Sequence, residues 1–598
     1  MPQMKPTTEI LENISKNSRK NKTEIFTRLY RYLLRPDLYF MAYQNLYANK
    51  GAATKGVDDD TADGFSQEKI DRIITSLADG SYAPKPVRRK YVNKKRGSKK
   101  QRPLGIPTFT DKLVQEAVRM VLESVYEPIF SKHSHGFRPN RSCHTALQFL
   151  KKDFTGITWF VEGDIKGCFD NINHQVLLEL IGKKIKDARL NQLIGKFLKA
   201  GYMENWQYHA TYSGCPQGGI LSPLLANIYL HELDEFAERT ANRFKKKREH
   251  ARYSEYDRLA YEIRKTKKQI ETTTGETKTT LLKRVKELER QKRKMPCSSQ
   301  TDKVLKYIRY ADDFLIGIKG DRKDCELIKQ QFSDFIHDTL KMELSEEKTL
   351  ITHSSKPARF LGYDVRVRRD NTVKPHGTHL QRTLKGKVEL NVPFQDKIMP
   401  FLFEKYIIQQ LHDGTLEPIA RKYLYSCTDL EILFAYNAEL RGICNYYALA
   451  SNYARLSYFA YFMEYSCLKT LAGKHKTTSR KIVDKYSCNG NWSIPYQTKN
   501  GIKRCRFADF MKCKKAVTFD EVIVDYAVLH ATTRTTVEKR ICSQVCELCG
   551  KTNVSLEMHH VNKVKNLKGK VFWEAIMIAK KRKTLALCKD CHHRIHNP

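Results

Sequence analysis

Two adjacent carboxylates, Asp312 and Asp313, interrupt an otherwise apolar run from Val304 to Ile318. The strand-like segments on either side read as a hairpin with the acids at its tip. Neighbouring carboxylates repel each other, and burying them without a cation is costly. Upstream, Trp159-Phe160-Val161-Glu162-Gly163-Asp164 is another strand that ends in a carboxylate. Asp164, Asp312 and Asp313 would together offer a pair of Mg2+ ions a common bed. Two such ions about 4 Å apart can clamp an attacking 3′-hydroxyl and a leaving pyrophosphate. An isolated Asp-Asp is ordinarily a solvated turn. Here the apolar flanks and the matching strand favour the metal reading.

A second group of chemistry-bearing residues lies near the C-terminus. Cys546-Glu547-Leu548-Cys549 and Cys588-Lys589-Asp590-Cys591 are paired C-x-x-C units. Four thiolates suit tetrahedral Zn2+, which would staple a very small domain. A redox role fits poorly, because there are two units and no thioredoxin-like pattern around them. Cys542 is a spare thiol that could compete as a ligand. Between and after the units stand His559-His560 and His592, His593 and His596. His592 and His596 are four apart, so one helix face presents both.

Composition bounds the rest. The chain has 598 residues, enough for several domains with full cores. Hydrophobic residues make up 41% of it, as in globular rather than disordered chains. The formal net charge of +41 points to polyanionic partners, nucleic acid above all. No apolar run approaches the roughly 18 residues of a membrane span, and the first residues lack a signal-peptide core. An intracellular protein follows, in which the 16 cysteines do not form a disulfide framework.

Along the chain, residues 8–50 read as helix broken at Arg35-Pro36-Asp37, with an aromatic stripe that suits core packing. Val87 to Arg102 is a basic hairpin around a Lys94-Lys95-Arg96-Gly97-Ser98 turn. Asp111 to Tyr126 is an amphipathic helix. Residues 236–300, including Phe244-Lys245-Lys246-Lys247-Arg248, form a charged helical hairpin turning at 272–277. Beyond Tyr363, helices are expected at 396–412, 417–427, 429–449 and 452–473, and a hairpin around Lys499 to Arg506.

In chain order the sequence also carries Arg102-Pro103-Leu104-Gly105-Ile106-Pro107, His135-Gly136-Phe137-Arg138-Pro139, Pro216-Gln217-Gly218-Gly219, Tyr310-Ala311-Asp312-Asp313, Leu344-Ser345-Glu346-Glu347-Lys348-Thr349 and Phe360-Leu361-Gly362-Tyr363. With the Asp164 strand, these blocks resemble group II intron-encoded proteins over nearly the whole length. That family joins a reverse transcriptase, an RNA maturase, a DNA-binding region and an HNH endonuclease.

The resemblance implies a multidomain α+β protein. A right-hand polymerase would have fingers and palm with an antiparallel sheet and a helical thumb, followed by a basic DNA-binding region and a small zinc-stapled ββα-metal HNH domain. Residues 1–80 would be an RNA-binding N-terminal extension forming part of the fingers. Residues 81–365 would form fingers and palm, 366–480 the thumb or maturase domain, 481–540 the DNA-binding region and 541–598 the nuclease. Arg441 to Ala450 resembles the family's maturase helix.

The resemblance also assigns roles. Asp164 and Asp312 would be the principal Mg2+ ligands, supported by Asp313 and by the Ile165 carbonyl. Phe169 resembles the steric gate that excludes a ribose 2′-hydroxyl, which favours dNTPs. Arg102 would hold the nucleotide's phosphates, Gln217 would lie beneath it and Lys348 would approach the metal-bound phosphates. Asp170 would cap the next helix. In the nuclease, His560 would be general base, and His559, His592 and His596 would hold one divalent ion. The family's commoner Asp-His pair is His559-His560 here. The residue that orients the base loop is unassigned, with Asn562 or Asn566 as candidates.

The implied partners are the parent intron RNA, a double-stranded DNA target and dNTPs, with no membrane; the implied setting is a bacterial cytoplasm. A homodimer is left open. Two other readings are a reverse transcriptase without splicing function, and an RNA-folding cofactor with a degenerate nuclease. The Arg441 segment and the HNH end oppose the first, and the intact acids oppose the second.

Overall fold

The computed structural model describes the chain except residues 1–4, 50, 94–100, 246–253, 296–302, 370–372, 377–378, 383–385, 489, 499–500, 515–535 and 598. The expected turn at 94–98 and Lys246 to Arg248 fall outside the described residues, as does the tip of the 499–506 hairpin.

The centre of the molecule is an antiparallel sheet in the order Val304–Tyr310, Asp313–Lys319, Trp159–Asp164, Ile351–His353. Its strands are apolar on both faces, as a sheet covered on both sides demands. Leu305, Tyr307, Phe314 and Ile316 join the large core built with the helices Phe109–Tyr126 and Ser222–Phe244. Phe160, Ile308 and Leu315 point the other way, into the core of the C-terminal helices Asp429–Tyr446 and Leu456–Lys474. One sheet therefore joins both halves of the protein.

Local chemistry fixes the helix starts. Thr108 accepts from the Asp111 amide at the head of Phe109–Tyr126. Ser142 with Thr145, and Thr428 with Glu431, form reciprocal capping boxes. A second sheet runs in the order Gln101–Ile106, Val87–Asn93, Tyr202–Glu204, Gln207–His209, which realises the basic hairpin. The charged insertion is a helical pair, Ser254–Thr272 and Glu276–Lys294, closed over Ile263, Val285 and Leu288.

Two expected helices differ. The one at 396–412 ends at Glu404 and gives way to a small hairpin, Ile408–Gln410 with Leu416–Pro418. The one at 417–427 is only the short turn Lys422–Leu424. The Asp413-Gly414 pair makes a turn there, and Pro418 lacks the amide a helix would need. Asn491–Thr498 and Gly501–Arg506 do pair as a hairpin.

The C-terminal unit has strands Leu556–His560 and Thr584–Cys588, then the helix Lys589–His596. Phe65–Ser66, from the other end of the chain, adds a third strand to this sheet. Among the described residues no helix is long and apolar enough to cross a membrane.

Candidate functional site

The strand pairing puts the three carboxylates together. Tyr310 pairs with Asp313, so Ala311 and Asp312 form a two-residue hairpin turn. Ala311 takes the left-handed backbone (φ 56°) that such turns use. On the neighbouring strand Asp164 stands directly opposite Asp313. Lys348 reaches Asp164 Oδ2 at 2.6 Å. Burial pushes Asp312 above the ordinary carboxylate range, with the Asp164 charge adding to it and Lys348 and Arg102 opposing. Burial, the Asp312 charge and a proton shared with Asp164 push Asp313 up to about 7. Acids crowded this way fit divalent metal ions.

The turn is held from behind by residues that the sequence reading passed over. Arg309 is wholly buried and donates to Asp234 through Nε (2.7 Å) and Nη2 (2.6 Å). It also donates to the Ser134 hydroxyl and the Ala311 carbonyl, each at 2.8 Å. Asn227 accepts from Arg309 at 3.2 Å and donates to the Gly136 carbonyl at 2.8 Å. A Cβ on Gly136 would stand 2.2 Å from the Ala311 nitrogen, so only glycine lets this segment back the turn. An arginine inside an apolar strand and an aspartate inside an apolar helix were the available signals.

Ile165 is buried, and its neighbours tie it to the following segment: the Ser345 amide donates to the Asp164 carbonyl at 2.8 Å and the Lys166 amide to the Glu343 carbonyl at 2.9 Å. The Phe169 ring meets Phe137 edge-on at 6.0 Å. Gln217 and Asp170 line a cleft of about 420 Å³ with Arg89, Gly105 and Tyr202. A Cβ on Gly218 (φ 108°) would stand 2.7 Å from the Gly105 carbonyl. Arg102 is exposed on the basic hairpin, opposite Val92.

Asp170 does not cap the next helix. Asn173 does, accepting from the Gln175 and Val176 amides, because it stands directly before the first helical residue. Asp170 instead accepts from Gln217 Nε2 at 3.2 and 3.3 Å.

At the C-terminus, Cys546, Cys549, Cys588 and Cys591 bring their sulfurs within 4.8 Å of one another, a group compatible with zinc. The Cys549 and Cys588 sulfurs are 3.8 Å apart, the spacing of tetrahedral zinc thiolates bonded at about 2.3 Å. Burial opposes ionisation of Cys546, but the amides of Cys549, Cys588 and Leu548 bring its thiol down to about 7. Cys542 is outside the group.

His559, His592 and His596 form a second group, and Asp63 is its fourth member. Both ring nitrogens of His559 are buried without a hydrogen-bond partner, which suits a metal ligand. Glu557 accepts from His592 Nδ1 at 2.7 Å and leaves Nε2 facing the group, as outer carboxylates do for metal-binding histidines. Burial opposes the His592 charge, yet Asp63 and Glu557 raise it to about 9. His560 points elsewhere, with Nε2 at 3.0 Å from the Tyr47 carbonyl. Burial lowers it below the ordinary imidazole value, against the Tyr47 carbonyl and the Asp63 charge. Neither Asp63 nor Tyr47 was foreseen.

The reverse transcriptase (RNA-dependent DNA polymerase) family matches residues 92–365, type II intron maturase 385–539, and AI2M/AI1M-like HNH endonuclease 546–592. Group II intron-encoded protein LtrA of Lactococcus lactis subsp. cremoris is 60% identical over 99% of this chain and all of its own length. The uncharacterized 91 kDa protein in cob intron of Schizosaccharomyces pombe is 35% identical over 98% of this chain and 72% of its own. Nuclear intron maturase 2, mitochondrial, of Arabidopsis thaliana is 26% identical over 66% of this chain and 56% of its own. Acidic turn, maturase region and histidine-cysteine end thus stand in one order on one chain: the protein belongs to the group II intron-encoded proteins, multifunctional enzymes that combine RNA-directed DNA polymerase, intron maturase and HNH endonuclease.

Proposed function

We propose that the protein binds its own intron RNA, aids its splicing, and copies that RNA into DNA from a 3′ end its nuclease has cut. The observation that carries the polymerase part is Asp164 facing Asp313, with Asp312 at the adjoining turn. Asp164, Asp312, Asp313 and the Ile165 carbonyl would hold two Mg2+. When bound, these ions neutralise the acids and stabilise the charge that develops on phosphate and 3′-oxygen. The protein's share is positioning. Lys348 and Arg102 offset negative charge at the triphosphate. Gln217, held by Asp170, floors the nucleotide cleft. The Phe169 ring takes the space a 2′-hydroxyl would need, which selects dNTPs. The central sheet and its flanking elements are read as fingers and palm, and the C-terminal helices as the thumb that grips RNA.

In the nuclease, His559, His592 and His596 would hold one divalent ion, which supplies charge stabilisation at the scissile phosphate when bound. His560 would take the proton of the attacking water. The water oxygen bonds to phosphorus as the P–O3′ bond breaks, and the departing 3′-oxygen gains a proton from solvent. The four cysteines would hold structural Zn2+ and fix the strand and helix that carry the histidines. Residues 481–540 would contact the double-stranded DNA target. The Lactococcus lactis relative is consistent with a bacterial cytoplasm.

The test is splicing. RNA containing this reading frame and its flanks is incubated at low Mg2+ with and without the protein. Protein-dependent excision of a lariat is expected. No excision, with primer extension intact on a generic template, would leave a reverse transcriptase whose RNA partner lies elsewhere.

A further inference from the structure

The nuclease histidines are not enclosed by their own domain alone. Phe65 and Ser66 pair with Met558 and Glu557, so the strand carrying His559 and His560 gains a neighbour from the opposite end of the chain. The Gly64 amide donates to the Met558 carbonyl at 3.1 Å. Phe65, stacked on Tyr43 at 4.0 Å, belongs to the same core as Leu556, Met558 and Leu587. Lys589 ties to Glu68 at 2.6 Å. This is a docked interface with a shared core.

The pairing delivers a carboxylate into the histidine group. Asp63 Oδ2 stands 2.8 Å from His596 Nε2 and 3.2 Å from His592 Nε2, and Oδ1 stands 3.3 Å from His559 Nδ1. Donors bonded at about 2.0–2.2 Å to one ion stand about 3 Å from each other. The same N-terminal region places the Tyr47 carbonyl on His560 Nε2. A carbonyl only accepts, so Nε2 carries the hydrogen, which leaves Nδ1 as the ring nitrogen free to face a water.

We propose that Asp63 is a ligand of the nuclease's divalent ion and that the Tyr47 carbonyl sets the tautomer of His560, so that N-terminal residues complete the nuclease centre. This rests on the reading of His559, His592 and His596 as the site of that ion. Asp63 and the three histidines would hold the ion, which would supply charge stabilisation to a phosphate oxygen. His596 is half exposed, which keeps the group open to solvent. The Tyr47 carbonyl takes the orienting task for which the nuclease sequence offered no clear residue. Cutting is then possible only while the nuclease is docked on the polymerase half, where the new 3′ end is needed.

The test uses the full, zinc-loaded chain with Asp312→Ala and Asp313→Ala, so that the polymerase acids do not bind the probe. Mn2+ is titrated, and the free ion is read by electron paramagnetic resonance. Asp63→Asn keeps the size and an acceptor for the His560 amide. It is expected to weaken Mn2+ binding at least about tenfold, no less than loss of an outer partner would. Asp63→Glu is expected to recover most of it, which a folding defect would not allow. In a chain with intact polymerase acids, Asp63→Asn is expected to lower nicking. If His596→Ala weakens Mn2+ binding and Asp63→Asn does not, the inference falls alone. If His596→Ala also leaves binding unchanged, the histidine reading falls with it. Nicking that rises in Asp63→Asn would make Asp63 a plug and overturn the proposal.

Discussion

The carboxylate centre and the histidine centre are built in opposite ways. Asp164, Asp312 and Asp313 come from adjoining strands of one sheet, and Arg309 and Asp234 hold their turn from directly beneath. The histidines come from the last 40 or so residues of the chain, and Asp63 and Tyr47 come from its beginning. Repulsion explains the contrast. Three acids resist being brought together, so a rigid sheet must force them. The histidine group instead gathers around one carboxylate of opposite sign, Asp63, which pairs with His592 and His596, so docking two pieces is enough to assemble it. The first centre is rigid by construction and the second is conditional on an interface.

The largest expected effect separates the two. Structural zinc contributes about 10–16 kcal/mol in small domains. Cys588→Ser, or a zinc chelator, should therefore unfold the nuclease, open it to proteolysis and abolish nicking. Primer extension on a generic template should be little changed, because the other face of the carboxylate sheet packs on a core that includes no nuclease residue. Parallel loss of both activities would show that the centres share more than an interface.

Next comes the support beneath the acidic turn. Arg309→Met leaves the Asp234 charge buried with no cation, only the Tyr307 hydroxyl donating to it, and removes the bond to the Ala311 carbonyl. Breaking such a pair costs about 3–5 kcal/mol. The midpoint of denaturant unfolding should drop accordingly, and cDNA synthesis should fall with it. Unchanged stability would mean that the sheet alone holds the turn.

Asp312→Ala should lower cDNA synthesis about 100- to 1000-fold, the scale for losing one main electrostatic contact at a reacting centre. Protein-dependent splicing by the same variant should be retained, because clustered acids serve metal-dependent synthesis and offer nothing to a polyanionic RNA. Loss of splicing in a folded Asp312→Ala protein would contradict the separation of roles.

How much of this the sequence revealed follows the same contrast. Asp164, Asp312 and Asp313 were legible because each sits at the end of a local apolar strand, a pattern readable within a dozen residues. The paired C-x-x-C units were legible for the same reason. Asp63 was not, since Thr61-Ala62-Asp63-Gly64 reads as an ordinary turn and its partners lie about 500 residues away. Arg309 was visible as an oddity in an apolar strand, but its partner Asp234 sits on another element. The helix expected at 417–427 failed because its apolar spacing outweighed Asp413-Gly414 and Pro418, which turn and end a hairpin strand at Leu416–Pro418. Asp170 failed as a cap because the capping residue, Asn173, stands only three positions on.

The smallest expected effect concerns the nucleotide rather than the metal. Phe169 lies five residues beyond Asp164, and its carbonyl accepts from the Cys215 amide at 2.8 Å, which joins it to the segment leading into Gln217. Its ring touches Phe137 edge-on; Phe137 is more than half exposed, while Phe169 is partly buried at the edge of the main core. A ring in that place discriminates by bulk, not by bonding, and one apolar contact of this kind is worth about 10- to 200-fold in selectivity. Phe169→Ala should therefore raise rNTP incorporation relative to dNTP by about that factor in competitive primer extension, with dNTP turnover reduced far less than in Asp312→Ala. If the ratio does not move while the protein loses stability, Phe169 is a packing residue for Phe137, and the preference for dNTPs must come from another part of the cleft that Gln217 and Asp170 line.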